Sequence, residues 1–142
     1  MRMEIGFKFL LTDMRKDDSA IQAGLHKFIK LKNRQFIGKE ICENELKNGT
    51  SRYLVKIEID ISTHLNDAHA YGDNPIFDNK INGKLCGWTT SGAYSFQSNK
   101  FLSFAYLYDG YQYNTDKKLY VEIIGERRPI YVILESLPPI AK

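Results

Sequence analysis

Residues 86–108 read CGWTTSGAYSFQSNKFLSFAYLY, and this stretch decides the fold because it predicts two strands joined by a polar turn. The first strand is centred near Trp88, where aromatic and β-branched residues follow one another and favour an extended backbone. Gly87 and Gly92 lie on either side and allow a bulge or the close approach of another backbone. Residues 101–108 are apolar or aromatic apart from one serine, which is typical of the second strand.

The hydroxyl-rich part of this stretch, TTSGAYS at residues 89–95, resembles a motif of the glycine-cleavage T-protein family, the tetrahydrofolate-dependent aminomethyltransferases. Further elements that resemble this family follow one another in the same order along nearly the whole chain. They are RMEIG at residues 2–6, Asp13 with QAGL at residues 22–25, NRQFIGKE at residues 33–40, GDNPI at residues 72–76 and VEIIGERRPIYV at residues 121–132.

The order of the predicted elements indicates a mainly β protein preceded by a short α/β segment. Residues 50–136 contain several short strand signals at regular spacing, which is typical of a closed barrel without exposed edges. The resemblance implies the same architecture, a Greek-key β-barrel of about six strands. It also implies that residues 1–48 are a remnant of the folate-binding domain, with a strand and short helices, and that residues 49–142 are the C-terminal barrel.

Three patterns predict the local structure of the first third. Residues 1–11 predict a strand, with two phenylalanines on one face and a lysine on the other. Ser19 and Gln22 have the spacing of a capping box, in which each side chain bonds the backbone N–H of the other residue. An apolar stripe with helical spacing then predicts a helix at about residues 36–47.

Period-two patterns dominate the rest of the chain. Residues 53–61 alternate strictly between apolar and polar, which is the clearest strand signal in the sequence. The stretch at residues 121–132 reads as a hairpin with its turn near Gly125. Asp109-Gly110 lies between two pairs of tyrosines and gives another short-hairpin signal.

Composition restricts the class of protein. The chain has 142 residues, 43% of them hydrophobic and 26% charged, which fits one globular domain or a small domain with part of another. The net charge of +3 is too weak to indicate nucleic-acid binding, and no apolar run approaches the length of a membrane span. Two cysteines without CxxC spacing indicate no disulfide framework, and we therefore expect a soluble, cytoplasmic protein.

Arg2 and Glu4 are the first candidate binding residues. Spaced two apart in the predicted strand, their side chains would share one face, where an arginine can hold a carboxylate through two hydrogen bonds. The resemblance implies that Arg2 contacts the folate or its glutamyl tail. The alternative reading is a charge pair at a frayed terminus.

Thr90, Ser91 and Tyr94 are the second group of candidates, because their hydroxyls and nearby backbone amides could line a ligand surface. In the family, the corresponding loop lies on the side of the barrel that faces the folate-binding domain. The alternative reading is a structural bulge that closes the barrel.

No residue pattern in the chain predicts a metal site or a nucleophile. His26, His64 and His69 lack the spacing of zinc-binding motifs. Neither cysteine has an evident histidine or aspartate partner, and Ser91 lies outside a GxSxG context. We therefore predict no catalytic residue and no metal ligand.

The resemblance implies one-carbon transfer from an amine donor to tetrahydrofolate, and the motifs are most similar to the C-terminal module of dimethylglycine and sarcosine dehydrogenases. In the family, the catalytic aspartate lies upstream of the element that Arg2 matches. We therefore expect a chain that is not catalytically self-sufficient, binds folate weakly or not at all, and needs an upstream folate-binding domain or subunit. The alternative function is a non-catalytic protein-interaction module that pairs through its N-terminal strand, with another protein or as a homo-oligomer.

Overall fold

A computed structural model of the protein describes residues 2–32, 34–60, 68–113 and 118–134. Six strands and two α-helices are present in this part of the chain. The helices are α1 (Arg2–Ile5) and α2 (Lys39–Asn48), and the strands are β1 (Arg52–Ile59), β2 (Pro75–Phe77), β3 (Leu85–Ser95), β4 (Lys100–Tyr108), β5 (Leu119–Ile123) and β6 (Glu126–Ile133). None of the described helices has the length and apolarity needed to cross a membrane.

The six strands close into one antiparallel barrel in the order β1-β4-β3-β2-β5-β6. Strands β2, β3 and β4 form a meander of neighbouring strands. The first strand, β1, lies beside β4 at the end of this meander, which is the Greek-key arrangement. Closure pairs β6 with β1, so neither strand is left with an open edge. The mainly β barrel predicted from the sequence is therefore confirmed.

The barrel interior is the main hydrophobic core. Strand β1 sends its odd-numbered residues, from Tyr53 to Ile59, into this core, as its strict alternation predicts. The predicted range begins one residue later than β1 and ends two residues later: Asp60 follows β1 outside the strand, and Ile61 lies outside the described residues. Residues from all six strands complete the core, so the barrel is a packed interior and encloses no channel.

Strand β4 is buried on both faces, which explains its almost uninterrupted apolar sequence. Phe101, Ala105 and Leu107 point into the barrel. Leu102, Phe104 and Tyr106 point outward, where they form a second apolar cluster with Met3 of α1. The N-terminal segment thus covers the outer surface of β4, and the same contact stabilises the position of the segment.

The strand predicted over residues 1–11 is wrong. Residues 2–5 are one helical turn, and residues 6–11 form no strand beyond an isolated bridge between Leu10 and Met14. Alternation in a short segment cannot distinguish a strand from an extended surface loop, and here Phe7 and Phe9 face solvent. The hairpin signal at Asp109-Gly110 is also wrong, because residues 111–113 continue as turn rather than strand.

The capping box at Ser19 and Gln22 forms in both directions. The backbone N–H of Gln22 donates to Ser19 Oγ at 3.0 Å, and that of Ser19 donates to Gln22 Oε1 at 3.1 Å. Residues 20–24 nevertheless make only a turn, which ends at Gly24 with φ of 66°. The helix predicted at residues 36–47 is confirmed as α2, and the hairpin at residues 121–132 is confirmed as β5 and β6.

Candidate functional site

The carboxylate of Asp13 is the centre of a buried polar cluster between the N-terminal segment and the barrel. Asp13 is fully buried, although it lies on a loop outside the strands. Its Oδ2 accepts hydrogen bonds from Arg2 Nη1 at 3.0 Å and from the backbone N–H of Phe9 at 2.7 Å. Its Oδ1 accepts from the hydroxyls of Thr90 and Ser91, each at 2.5 Å. Four donors therefore compensate the burial of this charge.

A β-bulge in β3 explains why two consecutive hydroxyls reach the same oxygen. Successive side chains of a regular strand point to opposite faces, so Thr90 and Ser91 would normally diverge. The pairing between β3 and β4 shifts between Thr89 and Ser91, and Thr90 is the extra residue of the bulge. The bulge redirects the side chains toward Asp13. The β-bulge that the alternative reading expected is thus present, and whether Thr90, Ser91 and Tyr94 also contact a ligand stays a prediction.

The guanidinium of Arg2 is held by the protein's own groups. Besides Asp13, its Nη1 donates to the carbonyl oxygen of Phe7 at 3.2 Å. Its Cζ lies 3.9 Å from the centre of the Phe9 ring, in cation–π geometry. The carboxylate that Arg2 binds in this structure is therefore that of Asp13, through one nitrogen rather than two.

Tyr106 of β4 adds a further link to the same loop. Its hydroxyl donates to the backbone carbonyl of Asp13 at 3.0 Å. Burial, and next the neighbouring Asp18 carboxylate, raise the pKa of Tyr106 far above its usual value. The phenol therefore keeps its proton and remains a donor, and the loop is tied to β4 as well as to β3.

The structure brings three of the five predicted site residues together and separates the other two. Arg2, Thr90 and Ser91 meet at Asp13. Glu4 instead accepts a hydrogen bond from Ser95 Oγ at 2.7 Å, beside a pocket of about 310 Å³. The hydroxyl of Tyr94 lies 3.4 Å from Asn99 Oδ1 in the β3–β4 hairpin. Whether any of the five contacts folate stays a prediction.

Sequence analysis did not single out Asp13 as a site residue, although it is the residue that joins the others. Its partners Thr90 and Ser91 are 77 and 78 positions away, and no local pattern connects them. Only one feature of the sequence indicates a role for Asp13: it belongs to a motif that resembles the family. Arg15 and Lys16 are close to Asp13 in sequence, but Asp13 pairs instead with Arg2, 11 positions away, so the neighbouring charges do not indicate its burial.

Histidine, cysteine and carboxylate side chains do not assemble into a metal-binding group of three or more within the part of the chain that the structure describes. His64 lies outside the described residues, so its prediction is not addressed. His69 stacks on Phe101, with ring centres 4.8 Å apart. His26 lies in a basic pocket on the surface of the N-terminal segment.

Comparison with protein families and known structures identifies similar proteins. The family model described as the glycine cleavage T-protein C-terminal barrel domain matches residues 52–137. A crystal structure of the glycine cleavage system aminomethyltransferase T from Bartonella henselae superposes with a TM-score of 0.75 and 22% sequence identity, over 92% of this chain and 35% of that one. At this identity the likeness shows the fold alone.

Two curated relatives extend the similarity beyond the barrel. The mitochondrial dimethylglycine dehydrogenase of Homo sapiens is 33% identical over 138 residues, which is 96% of this chain and 15% of that protein. The aminomethyltransferase of Oceanobacillus iheyensis is 36% identical over 102 residues, which is 70% of this chain and 25% of that protein. The chain thus spans a quarter or less of the length of these relatives.

Proposed function

This chain belongs to the glycine cleavage T-protein family, and from that premise we propose that it is the barrel module of a tetrahydrofolate-dependent aminomethyltransferase or demethylase. In this proposal, one-carbon transfer from an amine donor to folate requires a folate-binding part that packs against the N-terminal segment. The relatives named dimethylglycine dehydrogenase and aminomethyltransferase support the reaction class. Their much greater length supports the need for a further part.

The observation that carries the proposal is an exposed apolar segment. Residues 5–41 are about a quarter of the chain but hold more than half of the large apolar side chains that are exposed in the described residues. The exposed apolar segment comprises Ile5, Phe7, Phe9, Leu10, Leu11, Phe28, Phe36, Ile37 and Ile41, each at least 40% exposed. Apolar side chains concentrated in this way are typical of a surface that another protein part covers.

Three of the described residues that the resemblance assigns to folate are already bound by the protein itself. The Arg2 guanidinium and the hydroxyls of Thr90 and Ser91 all bind Asp13. The pocket beside Glu4 has a volume of about 310 Å³. That is the lower end of the roughly 300–1,000 Å³ of pockets that enclose drug-sized ligands. We therefore derive no catalytic step from this chain alone.

Calorimetry with the isolated chain tests the incomplete site. We expect no saturable heat when tetrahydrofolate is titrated into the protein at about 100 μM, because Arg2, Thr90 and Ser91 are already bound to Asp13 and are not available to the ligand. Micromolar affinity in the isolated chain would contradict the proposal that the folate site needs another part.

A chimera tests whether the exposed apolar segment is a docking surface. The matched segment of the human dimethylglycine dehydrogenase, which corresponds to 96% of this chain, is replaced by this chain. Thermal stability and transfer of the one-carbon unit to tetrahydrofolate are then measured. We expect Ile37→Asp to lower the stability of the chimera by about 2 kcal/mol, because the charge is then buried. In the isolated chain the same change should stay within about 0.5 kcal/mol, because Ile37 is exposed there.

The matched control is Ile81→Asp, because Ile81 is also exposed but lies in the β2–β3 hairpin outside the exposed apolar segment. It should have little effect in either protein. Equal effects of the two substitutions in the chimera would argue against docking through residues 5–41. An inactive chimera that nevertheless shows the Ile37 effect would support docking and count against the reaction class.

The second candidate function is the non-catalytic interaction module. Its route through an N-terminal edge strand has no basis in the structure, because residues 2–11 form no such strand. The exposed apolar segment still supports association, and a second copy of the chain is the simplest occupant. Sedimentation that shows a dimer disrupted by Ile37→Asp would favour this candidate over a folate-binding partner.

We also propose a cytoplasmic location. The free thiols of Cys42 and Cys86 support a reducing compartment. The human relative is named as mitochondrial, so fractionation of cells that express the tagged chain should separate these two locations.

A further inference from the structure

A pocket of about 270 Å³ lies between α1, the 3₁₀ helix His26–Phe28 and strand β1. We propose that this basic pocket binds a small oxyanion with sulfate, phosphate or carboxylate groups. Its lining residues include three lysines, one histidine and one glutamate, which are Lys8, Lys27, Lys56, His26 and Glu4. Apolar side chains of β4 and β6 complete the wall. The proposal does not rest on the proposed function.

The charges of the pocket are out of balance in favour of an anion. Three lysines and one glutamate line the pocket. Lys56 Nζ already donates to the backbone carbonyl of Glu4 at 3.1 Å, and Oε1 of Glu4 accepts a hydrogen bond from Ser95 at 2.7 Å. The surrounding sequence adds positive charge, because residues 19–39 contain four lysines and one arginine but no aspartate or glutamate. An anion in the pocket would meet a positive potential from several directions.

Lys8 is fixed in a position that leaves donor capacity for a ligand. Its Nζ donates to the carbonyl oxygens of Ala23 at 2.6 Å and Gly24 at 3.2 Å. An ammonium group carries three N–H donors, so one remains after these two bonds. Because the carbonyls hold the side chain in place, binding an anion would require little further ordering of Lys8.

His26 supplies a buried polar atom that no protein group satisfies. Its Nδ1 is buried and has no hydrogen-bond partner among the described residues. Buried polar atoms in native proteins nearly always have a partner, and those that do not need an explanation. Because Nδ1 has almost no accessible surface, a rotation of the imidazole toward the pocket would be needed for protonated Nδ1 to donate to a bound oxyanion, and that bond would explain this exception.

The cations of the pocket also repel one another, which a bound anion would relieve. Burial, then Lys27 and Lys8, lower the pKa of His26. Burial and, more weakly, Lys27 lower the pKa of Lys8, while Asp13 acts in the opposite direction. Both shifts disfavour the charged forms in the empty pocket. An anion favours those charged forms, so binding must raise both pKa values.

The pH dependence has a defined sign. The groups that face His26 across the pocket are Glu4 on α1, Lys8, its neighbour Lys27, and Lys56 on β1. Above its pKa, His26 is neutral, and below it the imidazolium adds a donor and a positive charge. Affinity for sulfate, which keeps its charge over this range, should therefore rise as the pH falls from about 7.5 to about 5.5.

The experiment follows the ring signals of His26 by NMR while sodium sulfate or sodium citrate is added to the full chain at constant ionic strength. We expect saturable shifts with at least one of the two, and a higher pKa for His26 in its presence. Saturation by sulfate alone would assign a single tetrahedral anion, and saturation by citrate a carboxylate ligand. Shifts that match those of sodium chloride, or that never saturate, would overturn the proposal.

Matched lysine variants locate the site. Lys27→Gln should weaken binding about three- to fivefold, the range for one partly screened ion pair. Lys84→Gln removes the same charge from an exposed position that does not line the pocket, and it should leave the dissociation constant unchanged. Equal weakening by both variants would show a general effect of net charge and would overturn the proposal.

Discussion

Replacing Asp13 with alanine should lower the free energy of unfolding by about 3–5 kcal/mol, because it leaves a partly buried arginine and three further donors without their acceptor. The carboxylate is fully buried and binds Arg2, the N–H of Phe9 and the hydroxyls of Thr90 and Ser91. Urea unfolding followed by the fluorescence of the single tryptophan measures the effect. The ring centres of this tryptophan, Trp88, and of Tyr106 lie 5.5 Å apart, next to the loop that contains Asp13.

Two further variants make this result interpretable. Asp13→Asn keeps an oxygen for the hydroxyls of Thr90 and Ser91 but loses the charge, so we expect a smaller loss of about 2 kcal/mol and a folded protein. Asp17→Ala removes an aspartate whose side chain is 76% exposed, and it should change stability by less than about 0.5 kcal/mol. Comparable losses for Asp13→Ala and Asp17→Ala would show that the buried cluster contributes little.

Replacing Gly87 with alanine should lower stability by about 3 kcal/mol, because β3 and β4 approach too closely at this position to admit a methyl group. A Cβ added at Gly87 would lie 2.1 Å from the carbonyl oxygen of Tyr106 and 2.9 Å from a methyl carbon of Leu107. The carbonyl belongs to the paired strand, so it cannot move without separating the ladder. The same unfolding measurement should show a lower midpoint with an unchanged denaturant slope.

Gly125 provides the control for Gly87. It lies in the turn between β5 and β6 with φ of 77°, and nothing approaches the position of its missing Cβ within 4 Å. Gly125→Asn should lower stability by no more than about 0.5 kcal/mol, because asparagine tolerates the left-handed region. If Gly87→Ala were as mild as this change, the close approach of the two strands would not limit the side chain at residue 87.

The barrel could be predicted from the sequence because its signals are local and agree with one another. The alternation at residues 53–61 reports one buried face, and the glycine turn near residue 125 joins two alternating runs. Gly87 and Gly92 indicate a bend, a bulge or a close approach of another backbone, and in the structure neither position has room for a Cβ. Each of these features depends on residues that are neighbours in sequence, so one amino-acid sequence is enough to recognise it.

The N-terminal segment could not be predicted in the same way, because long-range contacts determine its structure. The turn at residues 2–5 is held by Met3, which packs against Leu102 and Phe104 of β4. The position of the Arg2 side chain depends on its hydrogen bond to Asp13. The burial of Asp13 depends in turn on the bulge that contains Thr90, 77 positions away. Alternating phenylalanines suggested a strand, but an exposed loop produces the same pattern.

The double-sided burial of β4 has a consequence for how this sequence can drift. Most strands of a small barrel have a solvent-exposed face, where every second position tolerates almost any polar substitution. Strand β4 lacks that freedom, because Phe104 and Tyr106 are as deeply enclosed as Phe101 and Leu107. Accepted substitutions along β4 should therefore be rare at odd and even positions alike. Mutational scanning should show low tolerance at every position of β4 rather than at every second position.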